Sequence, residues 1–454
     1  MKANTKRTDI LEKPMWRLLV QLSIPGVLGM SVNAINMFVD TIFIGQLVGQ
    51  AAVAGIGLAF PMLMITNAVT SLIGMGASSV LSRAIGAEDH ETESKIFGTV
   101  LTLSLIVSGI LTVVTYIYAP QLIAFLGGEG EVLELGVTYY RIVMLGAFAR
   151  IFGVASSMII RAEGKIKEAM TFMIIATLFN MILDPIFISY FDMGLAGAAW
   201  ATVVAMLLLS LFNVIYFASG NASYQVNLRY LGIERQIMRP LLAVGLSAMF
   251  LQIMFFIQQA VVFKSIEYYG GSRDQAFMTA VYRVVILVVM PMFGFVQSMQ
   301  PVTGINYGAG RVDRVKEGFR VFLLAGTVFL TFIWLSVQVY PQVVLGWILP
   351  DMDLNSDDLF RFRMMLMTLP SLAFFFLTVT MYQSLGKGRP ATALLVARDA
   401  GLFTPVVLIL PLFFGIQGIY FAMPVTDVFM VFMTIFLLNR LFRSEGFQTK
   451  PTEA

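Results

Sequence analysis

What most limits the folds open to this chain is a succession of apolar stretches, each of about twenty residues or more, running from Met15 almost to the C-terminus. Such a segment crosses a hydrocarbon core of roughly 30 Å as a helix, because a helix satisfies its own backbone hydrogen bonds where no water can. Apolar runs and turn signals place twelve helices, at about 15–46, 51–82, 93–126, 131–161, 168–190, 194–219, 236–266, 275–306, 316–346, 358–386, 391–414 and 417–442. The chain is 58% hydrophobic and 13% charged, outside the range of soluble domains. The alternating strands of a membrane β-barrel are not present. The expected fold class is therefore an all-α polytopic membrane protein.

The charges between the runs orient it. One set of joins carries Lys2, Lys6, Arg7, Lys13 and Arg17, then Arg83 and Lys95, Arg161, Lys165 and Lys167, and Arg229, Arg235 and Arg239. It continues with Arg311, Arg314, Lys316 and Arg320, Lys387 and Arg389, and Arg440, Arg443 and Lys450. The opposite joins are neutral or acidic, as in Gly127-Gly128-Glu129-Gly130-Glu131 and Asp351-Met352-Asp353, with Lys264, Arg273, Arg361 and Arg363 as exceptions. Positive-inside bias then puts both termini in the cytoplasm, which requires an even number of spans in the cell's inner membrane. A net charge of +3 placed this way serves orientation and not nucleic-acid binding. No cysteine is present and the single histidine, His90, falls in a loop, so thiolate metal sites and catalysis by Cys or an intramembrane His are excluded. The polar, basic start of the chain reads as no cleaved signal peptide.

An internal repeat has a period of about 222 residues. Gly86-Ala87 returns as Gly308-Ala309, Gly164-Lys165 as Gly386-Lys387, and Gly194-Leu195-Ala196-Gly197 as Gly415-Ile416-Gln417-Gly418. Six helices repeated in one orientation imply two pseudo-symmetric six-helix bundles, with a cavity between them and transport by rocking. The expected division is an N-terminal lobe over 1–218, a cytoplasmic linker over 219–239 and a C-terminal lobe over 240–454.

Within the fifth helix, Asn180-Met181-Ile182-Leu183-Asp184-Pro185 sets an amide and an acid in a run otherwise fit for hydrocarbon. An intramembrane acid is costly and is a functional candidate by default. Asn180 and Asp184, four apart, share a helix face, and Pro185 frees the carbonyl of Met181. Counting depth at 1.5 Å per residue puts Asp40 and Asp184 about 10 Å, and Tyr139 and Thr202 about 12 Å, from the same membrane face. These oxygens suit a hard cation or a proton relay, and two close carboxylates repel unless a cation or proton joins them. Asp40, Asn180, Asp184 and Thr202 are the candidate Na⁺ ligands, with Tyr139 beside them. Asn33 and Asn36 read first as interhelical glue and second as cavity or coupling groups. Pro25-Gly26 is a candidate hinge or a passive kink.

The second half repeats the proline, as Thr404-Pro405, but not the acid, and near Val262 it is apolar where the first half has Asp40. The ion site is therefore expected in the first half alone. Arg398 and Asp399, adjacent in sequence, are expected to point apart near the inner end of their helix and to snorkel or cap partners there. Asp427 lies deeper and could line the cavity. Arg141, Arg150 and Arg283 are candidate ion-pair partners. The 29 Met and 38 Phe fit an adaptable, greasy cavity, though they equally fill membrane interiors.

The Asn36/Asp40 pair, Asn180-xxx-Asp184-Pro185, the repeated Gly-Ala and Gly-Lys joins and Gly194-xx-Gly197 together resemble the multidrug and toxic compound extrusion (MATE) family, over about 15–440 of the chain. The resemblance implies export of organic cations driven by inward Na⁺ or H⁺, with no other cofactor and no enzyme activity, by a protein expected to act as a monomer. Asp40, Tyr139, Asn180, Asp184 and Thr202 match the first-lobe cation site of the family's DinF-like prokaryotic branch, and Pro25 its bending proline. The branch with a second-lobe glutamate on helix 7 is a poorer match, since Gln252, Gln258 and Gln259 are amides and Glu267 sits near the outer end. Two rival functions are a flippase for a lipid-linked precursor, whose cavity should hold several basic residues, and an intramembrane aspartyl hydrolase.

Overall fold

The structure, a computed structural model, describes residues 2–224, 226, 230–349, 352–444 and 447. Arg229, Asp351 and Lys450 lie outside the described residues. The first half is built from α1 (Lys2–Glu12), α2 (Met15–Leu47), α3 (Gln50–Ala87), α4 (His90–Phe125), α5 (Gly130–Leu145), α6 (Ala147–Ala162), α7 (Ile166–Pro185) and α8 (Gly194–Ala218). The second half comprises α9 (Arg235–Tyr269), α10 (Ser272–Gly308), α11 (Val312–Val339), α12 (Pro341–Gly346), α13 (Ser356–Met365), α14 (Ser371–Ser384), α15 (Gly388–Val396), α16 (Thr404–Phe414) and α17 (Gln417–Arg443).

Among the described residues, ten helices are each long and apolar enough to cross a membrane, and α5 and α6, bent by 54° around Gly146, together make an eleventh. The span expected at 358–386 is instead two short helices, α13 and α14. Pro370 explains the break: it has no N–H to donate, and it disfavours helix in the residue before it. π-helical turns widen the chain after α7, at Ile186–Tyr190, and between α15 and α16, at Ala397–Phe403. The helix of α9 begins at Arg235, so it takes the last five residues of the expected linker. The described linker is pinned by the buried Glu163, whose Oε2 accepts from the Tyr216 hydroxyl (2.9 Å) and the Ser223 amide (2.7 Å).

The repeat is visible in how the halves meet. α2 packs on α10 while α3 packs on α9, and α3 also meets α10. A two-fold exchange of α2/α3 with α9/α10 interconverts these contacts. On its axis, Ser78 Oγ donates to Gln300 Oε1 (2.7 Å) between positions 222 apart. Gly86 and Gly308 meet at the same spacing. A Cβ on Gly86 would lie 2.2 Å from the Ile305 carbonyl oxygen, and one on Gly308 would lie 2.1 Å from that of Arg83. The Gly-Ala joins therefore repeat because the crossing leaves no room for a side chain.

This seam lies at the end of the bundle that carries the termini. Ser298 Oγ bonds the Leu22 carbonyl there (3.0 Å), and α1 straddles both halves. Arg7 donates to the carbonyls of Ile85 and Gly86 and pairs with Glu88 (2.7 Å) on one side. On the other, Arg311 donates to the Leu11 carbonyl (2.8 Å) and Arg314 to that of Lys13 (2.7 Å). Toward the opposite end, a part-open cavity of about 470 Å³ separates α2 from α10.

Candidate functional site

The acids meet because α2 and α7 cross closely. A Cβ on Gly29 would sit 2.6 Å from the Met170 sulfur, so glycine makes room on α2 for the Met170 side chain of α7. Beyond that crossing, residues one turn apart on each helix form a single chain of amides and acids. Asn36 Nδ2 donates to Asp40 Oδ2 (2.9 Å) and to Asn180 Oδ1 (3.2 Å), and Asn180 Nδ2 reaches Asp184 Oδ1 (3.4 Å). Asp40 and Asp184 lie within hydrogen-bonding reach of each other. Asp184 is 2% exposed and Asn180 5%, so this chemistry is held away from water.

Three oxygens of the cluster are buried without a donor: Asn36 Oδ1, Asp40 Oδ1 and Asp184 Oδ2. Buried acceptors are almost always satisfied, and orphaned ones in a cluster of two acids call for a proton or a cation. The donor set, all oxygen, fits a hard monovalent cation. No group of three or more His, Cys, Asp or Glu that could hold a metal occurs among the described residues.

The other expected members fall differently. Tyr139 packs in the adjoining apolar cluster with Ile44, Ile188 and Ala198 and is close enough to feel both acids. The Thr202 hydroxyl donates to the Ala198 carbonyl of its own helix (3.1 Å), which leaves its oxygen lone pairs open. Asn36, read first as glue, is the bridge between the helices, while Asn33 is half-buried nearby on α2. Gly26 packs against the Gly294 backbone of α10, where a Cβ would meet the carbonyl at 2.8 Å, and Pro25 precedes that contact inside α2.

The cavity is lined by Met37, Phe38, Thr41, Ile42, Gly45 and Gln46 of α2, Val53 of α3, and Arg283 and Ile286 of α10. At 100° per residue, the α2 lining centres roughly opposite the face that carries Asn36 and Asp40. One helix thus presents the acid cluster on one side and the cavity wall on the other.

The arginines correct their sequence reading. Arg283 faces the cavity and has no carboxylate partner among the described residues. Arg141 donates to the Tyr116 carbonyl (3.2 Å) and covers its ring, and Arg150 donates to Asn67 Oδ1 (3.4 Å). None of the three forms an ion pair. Arg398 and Asp399 do not snorkel: both are buried within the π turn Ala397–Phe403, and the long Arg398 side chain reaches back so that its Nη1 bonds Asp399 Oδ1 (2.8 Å) in the interior. Asp427 is buried and engaged by Arg398 (2.9 Å) and by Thr368 (2.8 Å), and it is not a cavity-lining residue. On α9, Gln258 is turned to the Met423 sulfur and Gln252 to Ser71 Oγ (3.4 Å), while Glu267 pairs with Lys264 at the exposed end.

Comparison with known proteins gives concordant matches. The family profile described as MatE matches residues 25–186 and 243–409, one segment in each half. Multidrug export protein MepA of Staphylococcus aureus is 24% identical over 417 residues, 92% of each chain. Among solved structures, an outward-facing multidrug resistance MATE family transporter of the MOP superfamily superposes with a TM-score of 0.90 at 26% identity, covering 96% of this chain and 97% of that one. A MOP superfamily transporter from Pyrococcus furiosus gives 0.91 at 26% identity, covering 97% and 99%.

Proposed function

Because the chain belongs to the MatE family, and is thus a multi-pass membrane transporter and not an enzyme, we propose that it exports organic compounds, cations among them, by antiport with Na⁺ or H⁺. The observation that carries this is α2 itself. Its acid face, with two unpaired oxygens of its own and a third from Asp184 of α7, takes the coupling ion, while its opposite face walls a cavity of about 470 Å³, within the usual range of roughly 300–1,000 Å³ for small-molecule sites. Asp40, Asn36, Asn180 and Asp184 hold the ion, Tyr139 closes the site from below, and Thr202 supplies at most a further oxygen. This first-half set is what supports placement in the DinF-like branch. Met37, Phe38, Ile42, Val53 and Ile286 give the cavity an apolar wall suited to varied guests.

In this reading residues 1–218 and 240–454 are the moving lobes and 219–239 joins them. Both termini lie in the cytoplasm, so the closed seam faces inward and the cavity outward. Ion entry neutralises the two acids, α2 shifts about Pro25 and Gly26, the cavity contracts and its occupant leaves outward. Coupling requires only that the ion bind the two conformations with different affinity. A lipid-precursor flippase is less well supported, because Arg283 is the one basic residue lining the cavity.

The test is efflux of a fluorescent organic cation from proteoliposomes under an imposed Na⁺ gradient and, separately, a pH gradient. Export should follow one gradient in the wild type and fall to background in Asp40→Asn and Asp184→Asn. Export against a gradient by Asp184→Asn would overturn the site. Indifference of the wild type to both gradients would overturn antiport.

A further inference from the structure

The second half holds a buried ionic cluster that this mechanism does not use. Arg398 donates through Nε (3.2 Å) and Nη2 (2.9 Å) to Asp427 Oδ1 and through Nη1 to Asp399 Oδ1 (2.8 Å). Thr368 Oγ1 donates to Asp427 Oδ2 (2.8 Å), and the guanidinium lies 5.2 Å from the centre of the Phe375 ring. Arg398, Asp399 and Asp427 are 5%, 3% and 4% exposed. They lie ten or more residues inside their spans, roughly 15 Å deep. Fully ionised, one arginine and two aspartates leave a net negative charge in the middle of the bilayer, where unbalanced charge is expensive.

Among the described residues no neighbouring cation balances it. On α9 the facing group is the neutral Gln258, with Lys264 and Glu267 paired together at one end and Arg235 and Arg239 at the other. Arg361 pairs with Asp274 and Arg273 with Asp358 at the far rim. Arg283 turns to the cavity, α14 and α16 carry no charge, and Arg389, Arg440 and Arg443 sit at the terminus side. From α10, Tyr282 faces the cluster. It is 4% exposed, its hydroxyl has no partner, and it lies within electrostatic reach of Asp399 and Arg398.

We propose that this cluster is a proton-carrying site of the second half. Asp427 has donors on both oxygens. Asp399 has a side-chain donor on Oδ1 only, so its Oδ2 is the oxygen left to take the proton, with the Tyr282 hydroxyl within electrostatic reach but not hydrogen-bonded to it. A metal ion fits poorly, since the carboxylates are already turned to Arg398 and Thr368. The placement parallels the first half: Asp184-Pro185 adjoins the π turn after α7, and Asp399 lies in the π turn that runs into Thr404-Pro405. Each half then carries an acid in or next to a π turn that has a proline near one end. The assignment goes beyond the antiport reading, which places the ion in the first half alone.

The experiment is infrared difference spectroscopy of the purified full-length protein across a pH titration, following the carbonyl stretch of protonated carboxylic acids. Wild type should show a band that Asp399→Asn abolishes and that Asp40→Asn and Asp184→Asn leave in place. Asp427→Asn leaves a neutral Arg398–Asp399 pair and should abolish the band too. Tyr282→Phe, which removes no carboxyl group, should leave it in place. Proton uptake on acidification should drop by about one per molecule in Asp399→Asn. An unchanged spectrum and proton count in monodisperse Asp399→Asn and Asp427→Asn would overturn the proposal and leave a permanently charged ionic lock. Loss of a separate band in Asp184→Asn reports on the first-half site independently.

Discussion

Gly86→Ala should act as a wedge that is felt in one conformation only. The added Cβ would stand 2.2 Å from the Ile305 carbonyl oxygen and 2.9 Å from both Ala309 N and Gly308 Cα. All three are backbone atoms, so no rotamer change relieves the clash, and α3 and α10 must part by about 1 Å to reach a tolerable contact. Overpacking of this kind costs about 1–3 kcal/mol. A conformation in which the seam has opened does not bear that cost, so the equilibrium should move toward it by roughly 5- to 150-fold. The chain has no cysteine, so a single Ser78→Cys, at a seam position bonded to Gln300 and only 2% exposed, reports opening through its rate of maleimide labelling. Gly109→Ala, where a Cβ meets nothing within 4 Å, is the control. Labelling should accelerate in the Gly86→Ala background and not in the control. Equal protection in both would refute the claim that this crossing is what holds the terminus side shut.

Thr202→Val should leave the ion dependence of efflux within about threefold of wild type, because the hydroxyl donates to the Ala198 carbonyl of its own helix and to none of Asp40, Asn180 and Asp184; a tenfold shift would restore Thr202 as a ligand. Arg314→Ala removes charged hydrogen bonds to the Ile10 and Lys13 carbonyls, and amide exchange in α1 should rise about 10- to 100-fold, so unchanged protection would show that α1 is held by packing alone. Burial pushes the Glu163 carboxyl, in the turn between α6 and α7, above its ordinary value, against the pull of Lys165 and of its Ser223 and Tyr216 donors. Its folded form therefore holds a proton that the unfolded chain has released: its contribution is complete below the unfolded value near 4.5 and is lost as pH rises through the folded one. Thermal midpoints measured against pH should show that decline in wild type and a flatter profile in Glu163→Gln.

Much of the fold was legible because membrane burial writes itself into the sequence in long apolar runs, and because the repeated glycines mark backbone contacts. Gly197 and Gly418 make the same point as Gly86 and Gly308: a Cβ on either would come within 2.6 Å of the preceding helix's backbone. The pairing of Asp40 with Asp184 could be reached by counting depth, since both lie one turn beyond an asparagine. Thr202 could not be settled that way, as depth says nothing of which acceptor a hydroxyl chooses. The split at Pro370 was hidden because helical periodicity assumes an unbroken α-helix. The union of Arg398 with Asp399 was hidden because spacing says nothing of how far a long side chain reaches back.

The proposed hinge follows from the fact that α2 belongs to both halves. Its lower part is tied to α10, through Ser298 on the Leu22 carbonyl and the Gly26–Gly294 contact. Its upper part is tied to α7, through Gly29 on Met170 and then Asn36 on Asn180. If the halves rock, these two anchorages move with different bodies, and the strain falls on the short stretch between Gly26 and Gly29, just beyond Pro25. Proline suits that place, because the carbonyl of Gln21 has already lost its partner and bending there breaks one hydrogen bond fewer. A change at the acids, on the upper part, must then alter the angle of the cavity wall on the same segment's other face. Replacing Pro25 by alanine restores that bond and stiffens the joint. It should slow the conformational step while leaving ion binding at Asp40 and Asp184 intact, a split that separate measurements of ion affinity and turnover would expose. Equal loss of both would place the hinge elsewhere.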